Sequence, residues 1–107
     1  MEDIKEFQNE VVRVFGEIGK VPTRKNHTKQ SATIHLVEEI GEIARQVTNE
    51  YGRPEKFDKE NLSEELADAM MFIVFLANLY DVDISNYMKK SVEKVEKGAK
   101  MLKEKLG

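Results

Sequence analysis

Two pairs of carboxylates have a spacing that chemistry can use: Glu39 and Glu42 are three residues apart, and so are Glu65 and Asp68. On a helix that is about one turn, so both members of a pair leave one face at neighbouring points. Four carboxylates brought together repel, and burial worsens the repulsion unless a counter-charge is present. Arg45 is expected on the far side of its helix, and no Lys or Arg lies between Asn61 and Asp81. A divalent cation is therefore the natural counter-charge. All-oxygen ligands suit Mg²⁺, Mn²⁺ or Ca²⁺, whereas zinc and copper sites call for Cys or His. The chain has no Cys, and of its two histidines, His27 and His35, only His35 precedes an acid at helical spacing, once and in the reverse of the di-iron order. Carboxylate-bound Mg²⁺ typically serves as a handle on substrate phosphates.

The elements that must position these acids are helical. Ile4, Phe7, Val11, Val14, Phe15 and Ile18 recur at three-and-four spacing and stop at Gly19, with Pro22 beyond. A polar, basic connection runs from Lys20 to Gln30. A second stripe, Leu36, Ile40, Ile43, Ala44 and Val47, fades at the turn Tyr51-Gly52-Arg53-Pro54. A third helix is expected to begin near Asn61, with Asn61 and Glu64 as a capping box, and to be buried all round from Ala69 to Leu79. A fourth stripe holds Ile84, Tyr87, Met88, Val92, Val95, Ala99, Leu102 and Leu106. With the second stripe centred on Ile40 and the third on Leu66, each acid pair falls about 100° and about 160° from the centre, so the two pairs take matching azimuths. Packed antiparallel, the pairs face each other across the seam. The expected fold is an all-α, four-helix bundle-like single domain over residues 1–107. Phe72, Phe75 and Leu79 lie on a different side of the third helix from Leu66, Ile73 and Ala77, so one set needs a cover, which a homodimer or homotetramer supplies, the alternative being that the first helix wraps over it.

Composition narrows the class further. The 107 residues are 40% hydrophobic and 35% charged, which argues against disorder and against a membrane protein. The absence of Cys excludes disulfides, thiol catalysis and zinc ribbons and fits a reducing, cytoplasmic home. No signal-peptide core opens the chain, and Ala69–Leu79 is far short of the ~20 apolar residues of a spanning helix. The net charge of −3 is segregated: residues 38–68 hold ten acidic and four basic groups, a net −6, and residues 89–107 hold seven Lys and three Glu, a net +4. That split argues against nucleic acid as a partner, which needs positive charge on one continuous face.

The sequence resembles the MazG-like nucleoside triphosphate pyrophosphohydrolases. Their pattern, Glu-Glu-x-x-Glu followed after a gap by Glu-x-x-Asp, reads here as Glu38-Glu-Ile-Gly-Glu42 and Glu65-Leu-Ala-Asp68, with Leu76-Ala-Asn78 beyond. The resemblance implies an enzyme that hydrolyses a nucleoside triphosphate to the monophosphate and pyrophosphate, with house-cleaning of noncanonical nucleotides as one role. It implies Glu39, Glu42, Glu65 and Asp68 as ligands of Mg²⁺, with Mn²⁺ as a substitute, and Glu38 as the acid that orients or deprotonates the attacking water. Relatives place a Lys followed by Asn or Arg on the last helix; here Lys94 is the best match and Lys97 the second, as substrate-binding residues, and no Arg or Asn follows Asn86.

Other readings stand beside this one. Glu38 and Glu64 equally suit the favourable end of a helix dipole or a solvated face, as do the lysines of the last helix. Arg24, Lys25 and His27 on one connection, or Arg53 and Lys56 on the other, are both placed to close over a triphosphate. His35 reads as a partly exposed helix residue rather than a ligand. A non-catalytic helical interaction module, or a nucleotide or cation sensor without turnover, is the alternative function, and convergence of the four acids discriminates.

Overall fold

The computed structural model describes residues 2–106, in four helices joined by short connections: α1 (Glu2–Gly19), α2 (Lys29–Gly52), α3 (Lys59–Leu79) and α4 (Ile84–Leu106), with a single 3₁₀ turn, Pro54–Lys56, between α2 and α3. The chain is all-α, as the periodicity requires.

Local chemistry sets the ends. At Gly19 a Cβ would stand 3.1 Å from the Asn26 Cβ, so the close return of the following connection favours glycine there. Thr28 caps α2 through a reciprocal pair: its hydroxyl accepts from the Ser31 amide at 3.1 Å, and the Ser31 hydroxyl accepts from the Thr28 amide at 2.8 Å. The α3 cap corrects the expectation from the sequence. Asp58, not Asn61, accepts from the backbone, taking the amides of Glu60 at 3.0 Å and Asn61 at 3.2 Å, and the helix starts at Lys59. Two Asx-type caps lay within one turn of each other, and the carboxylate is the one in extended backbone. Asp81 turns the chain out of α3 with φ at 59°, a left-handed conformation that a short polar side chain tolerates.

The core is narrow. Val11, Ala32, Val74 and Phe75 are buried, with Phe7, Phe15, Phe72, Leu79 and Ile84 packed around them. The buried Gln8 amide fills the gap left by the α3–α4 turn: it donates to Val82 O at 2.9 Å and Val74 O at 3.3 Å, and accepts from the Ile84 amide at 3.4 Å. Backbone groups that leave a helix must find partners elsewhere, and one glutamine serves two of them, Val82 O and the Ile84 amide.

Two expectations about burial are corrected. The run from Ala69 to Leu79 is not buried all round, because Met70 and Ile73 are each 42% exposed. The fourth stripe does not close over the bundle: only the first turns of α4 pack, on α1, and residues 89–106 are exposed throughout. The Cα radius of gyration is accordingly 17.6 Å, against about 13 Å for a compact chain of this length.

Candidate metal centre

The acid-bearing helices α2 and α3 form an antiparallel hairpin whose register is read from four cross-contacts. Gln46 meets Asp58, Glu39 meets Glu65 and Asp68, His35 stacks on Phe72, and the Lys29 ammonium lies 4.4 Å from the Tyr80 ring centre. Gln46, 6% exposed, accepts from the Asp58 amide at 2.9 Å. From that bond, seven residues back along α2 reach Glu39 and seven forward along α3 reach Glu65, two turns in each case.

Glu39, Glu65 and Asp68 each bring a carboxylate oxygen to within 4.8 Å of the others, and all three are half-buried. They occupy the inward face of the hairpin. This reverses the expected azimuths: Ile40 and Leu66, taken as the centres of the buried stripes, are exposed, and the inward positions of α2 run through buried Ala32 and Gln46 with half-buried Leu36, Glu39 and Ile43 between them. Each helix has two apolar stripes, and averaging hydrophobicity round the wheel selects the wrong one.

The electrostatics are strained in a definite direction. Glu39 Oε2 is buried and has no hydrogen-bond partner. Two ionised carboxylates have no proton to share, so a hydrogen bond between Glu39 and Glu65 requires that one of them hold a proton. That interaction, followed by burial and by the charges of Glu65, Asp68 and Glu42, raises the Glu39 pKa from 4.5 to about 7. A buried carboxylate oxygen with no donor, beside two more carboxylates, is the arrangement a hard divalent cation relieves.

The remaining predicted residues lie elsewhere. Glu42 is outside the three-acid group; its Oε2 is 3.4 Å from Arg45 Nη1, so Arg45, expected on the far side of the helix, sits beside this acid. Glu38 points outward with its side chain 62% exposed, 3.9 Å from His35 Nδ1. Lys94 and Lys97 stand on the exposed part of α4, which makes no extended contact with α2 or α3.

One turn beyond the acids lies a layer that the sequence reading missed. His35 stacks on Phe72 at 5.4 Å with planes 13° apart, and His27 stands edge-on to both, 4.9 Å from His35 and 5.4 Å from Phe72. Burial, and then the neighbouring His35, lower the His27 pKa below 6.5. The available signal was the spacing: His35 is four residues before Glu39, and Phe72 four after Asp68.

Comparison with known proteins bears directly on this arrangement. Residues 27–102 match the family described as the MazG nucleotide pyrophosphohydrolase domain. The chain belongs to the MazG family. The MazG match takes in both acid-bearing helices, the histidine layer and most of α4, and begins after α1. A protein of Bacillus subtilis (strain 168), described as uncharacterized protein YpjD, is 33% identical over 85 residues, which cover 76% of this chain and 72% of YpjD. No solved structure matches. Among the described residues of this MazG chain, no helix is long and apolar enough to cross a membrane.

Proposed function

We propose that this chain, residues 1–107 acting as one domain, hydrolyses nucleoside triphosphates to the nucleoside monophosphate and pyrophosphate in the cytoplasm, with Mg²⁺ as its cofactor and Mn²⁺ as a substitute. The observation that carries the reading is the convergence of Glu39, Glu65 and Asp68 about a buried carboxylate oxygen that has no partner. Those three residues hold the cation, and Glu42 joins them by leaving Arg45, a rotation about its own side chain. The cation, when bound, neutralises the triphosphate and lowers the pKa of coordinated water.

The reaction adds one water across the α–β anhydride. Oxygen joins the α-phosphorus, the bridging oxygen departs with pyrophosphate, and a proton is released. In this reading Glu38 orients that water or accepts its proton, turning in from the solvent side of α2, where its side chain is 62% exposed. Lys94 and Lys97 grip phosphate from α4.

The test is pyrophosphate release across a panel of NTPs and dNTPs, with Mg²⁺, with Mn²⁺ and with EDTA. Cation-dependent release that is lost in Glu39→Gln and Glu65→Gln, both with helix content intact, is the expected result. Cation and nucleotide binding without any pyrophosphate release, on every nucleotide tried, overturns the enzymatic reading.

A further inference from the structure

Helix α4 carries an apolar stripe that outruns its cover. Ile84 and Met88 are half-buried where the first turns of the helix pack on α1. Val92, Val95, Leu102 and Leu106 continue the same stripe and are exposed, between 59% and 85%. At about 100° per residue, every residue of α4 within about 60° of Val95 is Ile, Met, Val, Leu, Ala, Gly or Ser. The charges are ordered about that stripe. Lys103 and Lys105 lie about 80° to its two sides and Lys94 about 100°, whereas Glu93 and Glu104 lie about 160° and about 180° away, at the far pole. Glu96 is the one acid on a flank, and residues 89–107 hold seven Lys against three Glu, a net +4.

We infer that α4 lies along the surface of an anionic lipid bilayer, with its apolar stripe at the headgroup layer and its flanking lysines among the lipid phosphates. Charge complementarity selects this occupant. A lysine that borders an apolar face lays its methylenes along that face and carries its ammonium into the headgroup region, so basic flanks with an acidic far pole fit a negative plane. A second copy of the helix fits worse, because pairing two such stripes sets the flanking lysines of one against those of the other. The acidic stretch of residues 38–68 does not run alongside to offset this charge, since the exposed part of α4 makes no extended contact with α2 or α3. A helix that lies on a bilayer needs no apolar run long enough to cross one. This inference rests on the fold and not on the proposed hydrolysis.

Sedimentation of the full chain with lipid vesicles tests it without nucleotide. The chain is expected to bind vesicles of phosphatidylcholine with about 30% phosphatidylglycerol, and to ignore phosphatidylcholine alone. Raising salt from about 0.05 M to about 0.5 M is expected to release most of it. Lys103→Gln and Lys105→Gln are each expected to weaken binding about five-fold, and Val95→Glu to abolish it with helix content retained. Since a charged variant can also unfold, an environment-sensitive dye on a single cysteine gives a second measurement in a chain that has none of its own. Dye attached through Val95→Cys is expected to report an apolar setting when anionic vesicles are added, and dye attached through Glu93→Cys, near the far pole, to stay in water. No association with the anionic vesicles, or equal association with neutral ones, overturns the inference. So does a dye response as large at position 93 as at position 95, or a solution mass that drops in Val95→Glu, which gives the stripe to a second copy.

Discussion

Gln46 accepts the backbone amide of Asp58 at 2.9 Å, two turns along each helix from the point where Glu39 meets Glu65. The bond joins the end of α2 to the cap of α3, so a buried neutral amide fixes the register that brings the acids together. Gln46→Leu removes the acceptor and leaves the Asp58 amide unpaired, a cost of about 1–3 kcal/mol. Urea denaturation is expected to show that loss, and isothermal titration with Mg²⁺ or Mn²⁺ a weaker cation affinity. A variant that lost stability yet bound cation as tightly as the parent would show that register is set elsewhere.

The Glu39 pKa of about 7 makes cation-free stability depend on pH in a stated direction. The folded chain holds this proton up to about pH 7, whereas the unfolded chain releases it near 4.5. Between those values the folded state binds more protons, so this contribution is fully present below 4.5 and is lost as pH rises to 7. Allowing for solvent screening at a half-buried site, the loss is about 1–2 kcal/mol. His27 acts in the opposite sense, because its lowered pKa favours folding as pH rises toward 6.5. The quantity to measure is therefore the difference between parent and Glu39→Gln melting curves in EDTA. It is expected to favour the variant increasingly from pH 4.5 to 7, and added cation is expected to remove the parent's deficit with release of a proton.

The helices and the acids were legible because they rest on local regularities: three-and-four spacing, Gly19, Pro54, and carboxylates one turn apart. Which face of α2 points inward was not. Ile40 and Leu66 look like core by residue type and are exposed, while Glu39 and Glu65 look like surface and face the seam. A hairpin with carboxylates in its seam inverts the usual rule that apolar residues lie inside, and only pairing between distant segments reveals it. The same limit explains Asp58 and Gln46, twelve residues apart and joined only once the hairpin closes. Arg45 beside Glu42 was available from the spacing alone, and the position of the stripe misled.

Gln8 offers a contrast with Gln46, because it is buried at the opposite end of α3. Its side chain serves Val74 O, Val82 O and the Ile84 amide, which hold the α3–α4 turn and so the base of α4. Gln8→Leu is expected to cost about 2 kcal/mol in urea denaturation, since it leaves buried backbone groups unpaired. Cation affinity is expected to stay unchanged, because the acids lie beyond the Phe72 layer toward the other end of the hairpin. Equal losses of stability and cation affinity would mean that the two ends of α3 are coupled.

Arg45 and Glu42 supply the last prediction, because their ion pair, at 3.4 Å and largely exposed, holds a carboxylate that the proposed cation site would recruit. An exposed pair contributes about 0.2–1 kcal/mol, so Arg45→Gln is expected to change stability by less than that. Its effect on the cation is expected to be the larger. Removing the guanidinium frees Glu42 to turn toward Glu39 and takes one positive charge from the approach, so Mg²⁺ or Mn²⁺ should bind about two- to five-fold more tightly. Glu42→Gln is expected to weaken binding by a similar factor, and in the double variant the gain from Arg45→Gln should vanish, since no carboxylate remains to be freed. If Arg45→Gln still tightens binding in the Glu42→Gln background, the arginine acts through its charge alone, and Glu42 keeps to the solvent side of α2.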